Sequence, residues 1–378
     1  MPTANDLMAE AVEATGLDEF GEDSFREGLE VLVASLRDEA RLNDRGNGFL
    51  YPRITGHLAQ RLQVEDWYRR HPEIDDVTVE APLFGLGLPR TGSTVLSFLL
   101  AQDPDIRYLR QWEAARPCPP PSTVEGDDPR IDPAAVERVG TRSHVPTADG
   151  AGPMECLELM NLNLRSPIFT AFAHVPSYAD WLLHADLTTT YAYQRRVMKL
   201  LQWGEPARPW RLKCPAHIIW IDNLLATFPD ARFVMTHRDP TDVMLSVCDV
   251  YADIISGFTD HPDRAAIGRL NVETWSIGMD RLLVARNTGI GDRFYDIDFR
   301  AAQADPFGQV EGLYEWLGEP VGEEFAANMR SWWEQNNENR EPSPKRDPKD
   351  FDLDLDSIRP LFADYIEQAA VWIGRGSE

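Results

Sequence analysis

The sequence predicts an α/β fold in which helices cover both faces of a mostly parallel central sheet. This is a three-layer α/β/α arrangement, with a helical extension at the start of the chain. Short apolar runs alternate with longer segments in which apolar residues recur at helical spacing. Strands that alternate with helices favour parallel pairing, because each helix returns the chain to the same end of the sheet. Binding residues of such sheets lie in the loops beyond the carboxyl ends of the strands.

Residues 1–77 are predicted to form the N-terminal helical extension, and residues 78–378 the α/β domain with its tail. Within residues 24–42, apolar side chains recur at the spacing of one helix face. A second helical pattern starts at residue 54 and stops at Pro72, because proline cannot continue a helix. We interpret these helices as packing elements of the core.

Four short segments predict strands, and a helical pattern follows each of them. The predicted strands are residues 78–89, 208–217, 231–240 and 292–299. The helices predicted after them are residues 91–102, 218–230, 241–254 and 306–318. A proline-rich loop at 116–133, an irregular polar tail at 336–354 and a last helix at 358–373 complete the prediction.

The chain is strongly acidic, with a formal net charge of −25 over 378 residues. Binding to nucleic acid without sequence preference requires a basic face, so we expect no nucleic-acid partner. A polyanionic ligand must then be held by a local positive pocket. No basic and apolar leader opens the chain, and no run approaches the roughly 18 apolar residues of a membrane span. We therefore expect a cytoplasmic protein without stable insertion into a membrane.

The four cysteines do not form a C-x-x-C pair and do not lie near a histidine at zinc-ligand spacing. We expect them to be reduced thiols, and we expect no metal site. The hydrolase and metalloprotease signatures G-x-S-x-G and H-E-x-x-H are absent from the sequence.

The stretch GLPRTGST, residues 87–94, fits the phosphate-loop pattern G-x-x-x-x-G-K-[ST] except that Ser93 replaces the lysine. A strand–loop–helix unit points backbone N–H groups and the positive helix end at one spot, which suits an anion. Gly87 and Gly92 permit close approach of the backbone, and Arg90 adds a planar donor fork. Without the lysine that reaches the outer phosphates of a triphosphate, an ordinary P-loop kinase is disfavoured. An ordinary turn with glycines for packing would also fit this stretch alone.

A second stretch, THRDPTDVMLSV, places Arg238 at the end of a predicted strand and Ser246 on the following helix. Together, P-R-T-G-S-T and R-D-P-x-D-x-x-x-S resemble the sulfotransferases that use 3′-phosphoadenosine 5′-phosphosulfate (PAPS). The likeness runs from about Pro82 to Asp354, and it is closest to the bacterial enzymes and the tyrosylprotein branch.

This resemblance implies a P-loop-like fold and PAPS as the cosubstrate. It implies that the 5′-phosphosulfate is bound by Pro89, Arg90, Thr91, Gly92, Ser93 and Thr94. Arg238 and Ser246 would bind the 3′-phosphate. A solvent-exposed surface charge is the alternative interpretation of each basic residue.

Three further stretches extend the resemblance. RLKCPAH makes Lys213 the candidate near the transferred sulfonate, and SPKRDPKDF makes Lys345 a candidate for closing over the 3′-phosphate, with Arg346 beside it. In FRAAQADP, Phe299 stands where the family has a tyrosine. Val95 stands where cytosolic members have a tryptophan that stacks on adenine.

The general base is predicted by the same resemblance. The tyrosylprotein branch uses a glutamate soon after the first helix, which corresponds to Glu113, and His144 is the runner-up. Pairing of Glu113 with Arg110 or Arg116 is the structural alternative. Glu155 is expected to complement the dipole of the helix that it begins. The catalytic candidates are therefore Arg90, Lys213, Glu113 and His144.

The predicted activity is transfer of a sulfonate group from PAPS, without a metal, to a hydroxyl of a small lipophilic, phenolic or glycolipid acceptor. The first alternative is a nucleotide-dependent kinase with a variant loop, which would require magnesium and bind ADP. The second is a nucleotide-binding relative that has lost turnover. Whether the chain forms a homo-oligomer is left open by the sequence.

Overall fold

A computed structural model of the chain describes residues 1–131, 152–337 and 346–375. Its central feature is a four-stranded sheet with the strand order β2-β1-β3-β4. The strands are β1 (Leu83–Leu86), β2 (Arg211–Lys213), β3 (Arg232–His237) and β4 (Phe294–Asp298). Every pairing between neighbouring strands of this sheet is parallel, which confirms the predicted α/β class.

Helices make up most of the described chain. Those before the sheet are α1 (Ala4–Thr15), α2 (Ser24–Asp38) and α3 (Asp44–Arg70). Those between β1 and β3 are α4 (Ser93–Leu100), α5 (Gln111–Ala115), α6 (Leu157–Met160), α7 (Ile168–Phe172), α8 (Pro176–His184), α9 (Thr188–Gln202) and α10 (Ile221–Thr227). Those after β3 are α11 (Pro240–Ser256), α12 (Arg264–Ala285), α13 (Phe299–Ala304), α14 (Pro306–Leu317), α15 (Glu323–Asn337), α16 (Leu355–Ile358) and α17 (Ala363–Arg375).

Both faces of the sheet are buried, as the three-layer arrangement requires. Successive residues of a strand point to opposite faces. Leu83 and Val234 belong to a smaller apolar cluster that includes Leu313 of α14. Phe84 and Met235 belong to the larger core, which also contains the buried side chains of α1 to α3. Burial on both faces explains why the central strands β1 and β3 read as mainly apolar runs, whereas β2 and β4 at the edges include charged residues.

Arg61 connects α3 to the rest of the molecule. It is fully buried, and its guanidinium donates to the carbonyl oxygens of Phe20, Glu22 and Leu162 and to the side-chain oxygen of Asn163. A buried guanidinium is tolerated when acceptors surround it. The division of the chain at residue 77 stays a prediction.

The helices α9, α12 and α15 lie outside the predicted strand–helix units. The buried side of α12 includes Gly268, Asn271 and Gly278 among its apolar residues, and these obscure the apolar stripe. Pro360 lies in a short 3-10 turn, so the last predicted helix is regular only from Ala363 onward. The strands are also shorter than the runs that predicted them.

His57 and His217 are two of the histidines that are buried in the core. Burial lowers the pKa of both His57 and His217 to about 3 from an ordinary value of 6.5. Below pH 6.5 the unfolded chain therefore binds protons that the folded chain does not. These two groups therefore leave the free energy of unfolding unchanged above about pH 6.5 and lower it as the pH falls from 6.5 toward 3.

The four cysteines, Cys118, Cys156, Cys214 and Cys248, are buried free thiols. Across the described ranges, no group of three or more His, Cys, Asp or Glu side chains is arranged to hold a metal ion. No helix among the residues that the structure describes has both the length and the apolar character to cross a bilayer.

Candidate active site

The loop between β1 and α4 is held in a backbone conformation that depends on glycine. Gly87 has φ 127° and Gly92 has φ 89°, both in the left-handed region. A Cβ atom on Gly92 would lie 3.3 Å from the ring of Phe299. Arg90 also has a positive φ, 62°, which is unusual for a residue with a side chain and is typical of ligand-binding turns.

The polar side chains of this loop have different tasks. Thr91 is fully buried, and its Oγ1 donates to the carbonyl of Leu88 at 2.9 Å and lies 2.6 Å from Oγ1 of Thr236. Its hydroxyl therefore anchors the loop to β3. Ser93, the first residue of α4, is also buried, whereas Thr94 is half-buried and accepts a hydrogen bond from Lys213.

The two arginines predicted to bind opposite ends of the nucleotide come together. Arg90 Nε donates to Ser246 Oγ at 3.3 Å, and Arg238 Nη1 donates to the carbonyl oxygen of Arg90 at 3.1 Å. Arg238 follows the last residue of β3, and Ser246 lies on α11. Asp239 starts that helix by accepting from the Thr241 amide at 2.9 Å.

A third arginine contributes to the same positive region. Burial, then Arg346 and Arg238, lower the pKa of Arg90 below its ordinary value, and Glu155 and Asp249 act in the opposite direction. Arg346 Nε donates to Asp249 Oδ2 at 2.9 Å. The cluster of Arg90, Arg238 and Arg346 is thus dense enough for its members to repel one another, which favours binding of an anion.

Two predicted site residues lie outside the described residues: His144, the alternative base, and Lys345, the candidate for closing over the 3′-phosphate. Both stay predictions. Arg346, the neighbour of Lys345, is the part of that basic stretch that the structure places near Arg90.

Lys213 and Glu155 form a pair beside the loop. Lys213 ends β2, and its Nζ donates to Thr94 Oγ1 at 3.1 Å and to a carboxylate oxygen of Glu155. The chain before α6 runs alongside β2, because the Cys156 amide donates to the Lys213 carbonyl at 3.1 Å. The helix α6 begins only at Leu157, so the expected helix-dipole role of Glu155 is replaced by an ion pair with Lys213.

Glu113 lies in a different environment. Its side chain is 0% exposed, and Arg107 donates to both carboxylate oxygens, at 3.0 and 2.5 Å. The backbone amide of Arg110 donates to the same carboxylate at 3.1 Å, which caps α5. The main partner is thus Arg107 instead of the expected Arg110 or Arg116, although Arg110 Nη1 lies 3.5 Å from one carboxylate oxygen. Because both oxygens are engaged in a buried ion pair, the geometry favours a structural role over a general base.

A family model described as the sulfotransferase family matches residues 82–323. The chain belongs to the sulfotransferase family. It is 33% identical to the sulfotransferase STF9 from Mycobacterium avium, with a TM-score of 0.88 and coverage of 97% of both chains. It is 31% identical to the sulfotransferase STF1 from Mycobacterium tuberculosis H37Rv, with a TM-score of 0.82 and coverage of 96% of this chain and 99% of that one. No curated protein sequence matches the chain. The predicted family resemblance is confirmed.

In this sulfotransferase, a mostly apolar cavity lies beside α4. Its lining includes Gly92, Val95, Phe299 and Trp333, with Gln303 at one side. The guanidinium of Arg238 lies 4.8 Å from the centre of the Phe299 ring. The cavity therefore adjoins the loop, Phe299 connects it to the arginine cluster, and α15 contributes the Trp333 indole to its lining.

Sequence reasoning missed two parts of the sulfotransferase site. The pairing of Glu155 with Lys213 joins residues 58 positions apart, and it depends on the path of the chain beside β2. Trp333 lies on α15, outside the predicted strand–helix units. Neither residue stands in a motif that marks it, so the sequence carried no signal for them.

Proposed function

We propose that this sulfotransferase moves a sulfonate group from PAPS to a hydroxyl of a small acceptor. The observation that carries the proposal is the meeting of Arg90, from the loop after β1, with Arg238 and Ser246, which both follow β3. PAPS has phosphate oxygens on both the 5′ and the 3′ side of its ribose. Planar guanidinium groups suit such oxygens, so two adjacent arginines fit this donor better than a donor with one charged end.

The 5′ side of the donor is assigned to the loop and to the start of α4. The helix begins at Ser93, where N–H groups and the helix dipole favour an anion. Arg90 and Lys213 add positive charge on either side of it. The replacement of the P-loop lysine by Ser93 suits a ligand with one 5′-phosphate and a sulfonate.

The 3′ side of the donor is assigned to Arg238 and Ser246, with Arg346 close enough to interact with Arg90. The adenine is assigned to the cavity between α4 and α15. Phe299 and Trp333 offer aromatic surfaces to a base, and Gln303 offers a hydrogen-bonding amide.

The chemical step requires removal of a proton from the acceptor hydroxyl. We assign this to Glu155, whose side chain is 31% exposed, rather than to the buried Glu113. The acceptor oxygen then attacks sulfur, and the bond between sulfur and the 5′-phosphate oxygen breaks. Lys213 and Arg90 stabilise the negative charge that develops on the leaving phosphate, and adenosine 3′,5′-bisphosphate departs.

The acceptor is proposed to approach from the side of α11 that carries Tyr251. Burial raises the pKa of Tyr251 to about 12, and the nearby charge of Glu155 adds to the rise, so the two side chains are close. Thr170 of α7 bonds to the same hydroxyl. An aromatic wall beside the base suits a phenolic or lipophilic alcohol.

Ligand-dependent thermal stability tests the proposal. Adenosine 3′,5′-bisphosphate without metal should raise the melting temperature more than ADP with or without magnesium. At 100 times Kd a ligand stabilises by about 2.7 kcal/mol, which such an assay detects. Arg238→Ala should remove the preference for a 3′-phosphate, whereas Arg69→Ala, at an exposed arginine on α3, should keep it.

Other outcomes separate the alternatives. A larger shift with magnesium–ADP would support a kinase and contradict the proposal. Binding of the bisphosphate without release of it from PAPS, in the presence of a panel of phenols and alcohols, would instead indicate a relative that has lost turnover.

A further inference from the structure

The residues on both sides of Arg238 are held by the last part of the described chain. His237, which ends β3, has its Nδ1 3.2 Å from the Tyr365 hydroxyl of α17. Asp239, which follows Arg238, accepts from Arg359 Nη1 at 2.7 Å. The backbone that aims the Arg238 side chain is therefore tethered twice to residues 359–365.

The first tether, between Tyr365 and His237, belongs to a buried network in which the donor and acceptor of each hydrogen bond can be assigned. Arg286 donates to both oxygens of Asp296, each at 2.8 Å, and His237 Nε2 lies 2.7 Å from Asp296 Oδ1. A carboxylate is an acceptor, so it keeps the proton of a neutral imidazole on Nε2. Nδ1 then accepts the hydrogen bond from the Tyr365 hydroxyl.

Because the Tyr365 hydroxyl donates its proton to His237, its oxygen lone pairs are available to the backbone amide of Arg238. Burial raises the pKa of Tyr365 above its ordinary range, and an interaction with the backbone amide of Arg238 offsets part of that rise. The hydroxyl thus donates to the imidazole of His237 and faces the amide of Arg238. It joins the end of β3 to α17 at the position from which the arginine side chain departs.

The network is tightly packed, and its carboxylate, Asp296, stays charged. Tyr365 is 2% exposed, and its ring stacks on His237 with centroids 5.9 Å apart. Trp372 of α17 covers the Arg286 guanidinium at 3.6 Å. Burial opposes ionisation of Asp296, but hydrogen bonds from Arg286 and His237 outweigh it and lower its pKa to about 2.

We infer that Tyr365 is a positioning residue that sets the direction of Arg238 and thereby the selectivity for a 3′-phosphate. The inference rests on the proposed function, in which Arg238 binds that phosphate. Tyr365 touches neither the reacting atoms nor the nucleotide in this assignment. Its effect passes through the backbone of His237 and Arg238.

The test compares the affinities of adenosine 3′,5′-bisphosphate and adenosine 5′-phosphate, measured by titration calorimetry on the full chain. Tyr365→Phe keeps the ring and removes the hydroxyl. It should weaken binding of the bisphosphate by about 3- to 10-fold, the range expected for one lost hydrogen bond, and leave adenosine 5′-phosphate unchanged. The matched control is Tyr68→Phe, which loses a hydroxyl that donates to the Arg196 carbonyl at 2.8 Å. It should change neither affinity.

Arg359→Gln gives an independent test at an exposed pair, where folding is not at risk. It should weaken bisphosphate binding by about 2-fold and spare adenosine 5′-phosphate. Unchanged bisphosphate affinity in both variants, or an equal loss for the two nucleotides, would overturn the inference. If the unmodified chain binds the two nucleotides equally well, the proposed function fails before any variant is made, so the two failures are distinguishable.

Discussion

The proposed roles of Glu155 and Glu113 can be distinguished by replacing each glutamate, in turn, with glutamine. Glu155→Gln removes the negative charge beside Lys213, in a pair whose carboxylate is 31% exposed. Glutamine keeps an oxygen that can accept from Lys213, whose side chain is 8% exposed, so the loss of stability should be about 1–3 kcal/mol, less than for a fully buried pair. Loss of a general base lowers turnover by roughly 10²- to 10⁴-fold. The charge left on Lys213 should keep nucleotide affinity constant or increase it.

Glu113→Gln should give the opposite result. Arg107 and Glu113 are almost completely buried, and Arg107 contacts both carboxylate oxygens. Removing one charge of a buried pair costs about 3–5 kcal/mol, because the other charge is left without compensation. With an unfolding entropy of about 2.1 cal/mol/K per residue, the melting temperature of a chain of 378 residues should fall by about 4–6 °C. Turnover measured well below that temperature should stay within a few-fold of the unmodified chain.

The assay is release of adenosine 3′,5′-bisphosphate from PAPS in the presence of a panel of phenols, with melting curves recorded on the same samples. Calorimetric binding of the bisphosphate to Glu155→Gln is the control that the donor site is intact. Normal turnover in Glu155→Gln, together with a folded but inactive Glu113→Gln, would refute the assignment and return the base to Glu113.

Three further predictions follow from the structure. Lys213→Met should reduce turnover by about 10²- to 10³-fold with a smaller effect on bisphosphate affinity, and equal losses in both would contradict its proposed role in the transition state. Gly92→Ala should weaken bisphosphate binding at least 10-fold, because a Cβ atom is strained at φ 89° and crowds the Phe299 ring; unchanged calorimetric affinity would contradict this. His57 and His217 should each reduce the free energy of unfolding by about 1.4 kcal/mol per pH unit below pH 6.5, and urea titrations at pH 7, 6 and 5 check this slope.

The sheet and its binding edge could be predicted because their signals are local. The strands β1 and β3 stand in short, mainly apolar runs, and Gly87 and Arg238 mark the points where these runs end. The helix α12 carries no such signal. Gly268 stands in its buried stripe because a Cβ atom there would lie 2.4 Å from the carbonyl oxygen of Phe351. That contact spans a long stretch of chain and is not visible in a local pattern.

The same reasoning explains why the structure brings the two predicted arginines together and why we propose Glu155, rather than Glu113, as the base. Arg90 and Arg238 stand inside motifs at strand ends, so their positions in the fold follow from their positions in the sequence. Glu113 stands near the expected place along the chain, but Arg107 captures its carboxylate. Glu155 reaches the site through backbone pairing beside β2. A motif predicts where the backbone passes, but which carboxylate stays accessible depends on the competing cations around it.

The site is positively charged because the fold brings its arginines together, although the chain as a whole carries a net charge of −25. Arg90 and Arg238 converge from separate loops, and Arg346 lies near Arg90, while Glu155 and Asp249 offset part of their repulsion. In the proposed function, a donor with charge at both ends would take over that compensation when it binds, and Glu155 would stay beside Lys213 to accept the proton of the acceptor hydroxyl.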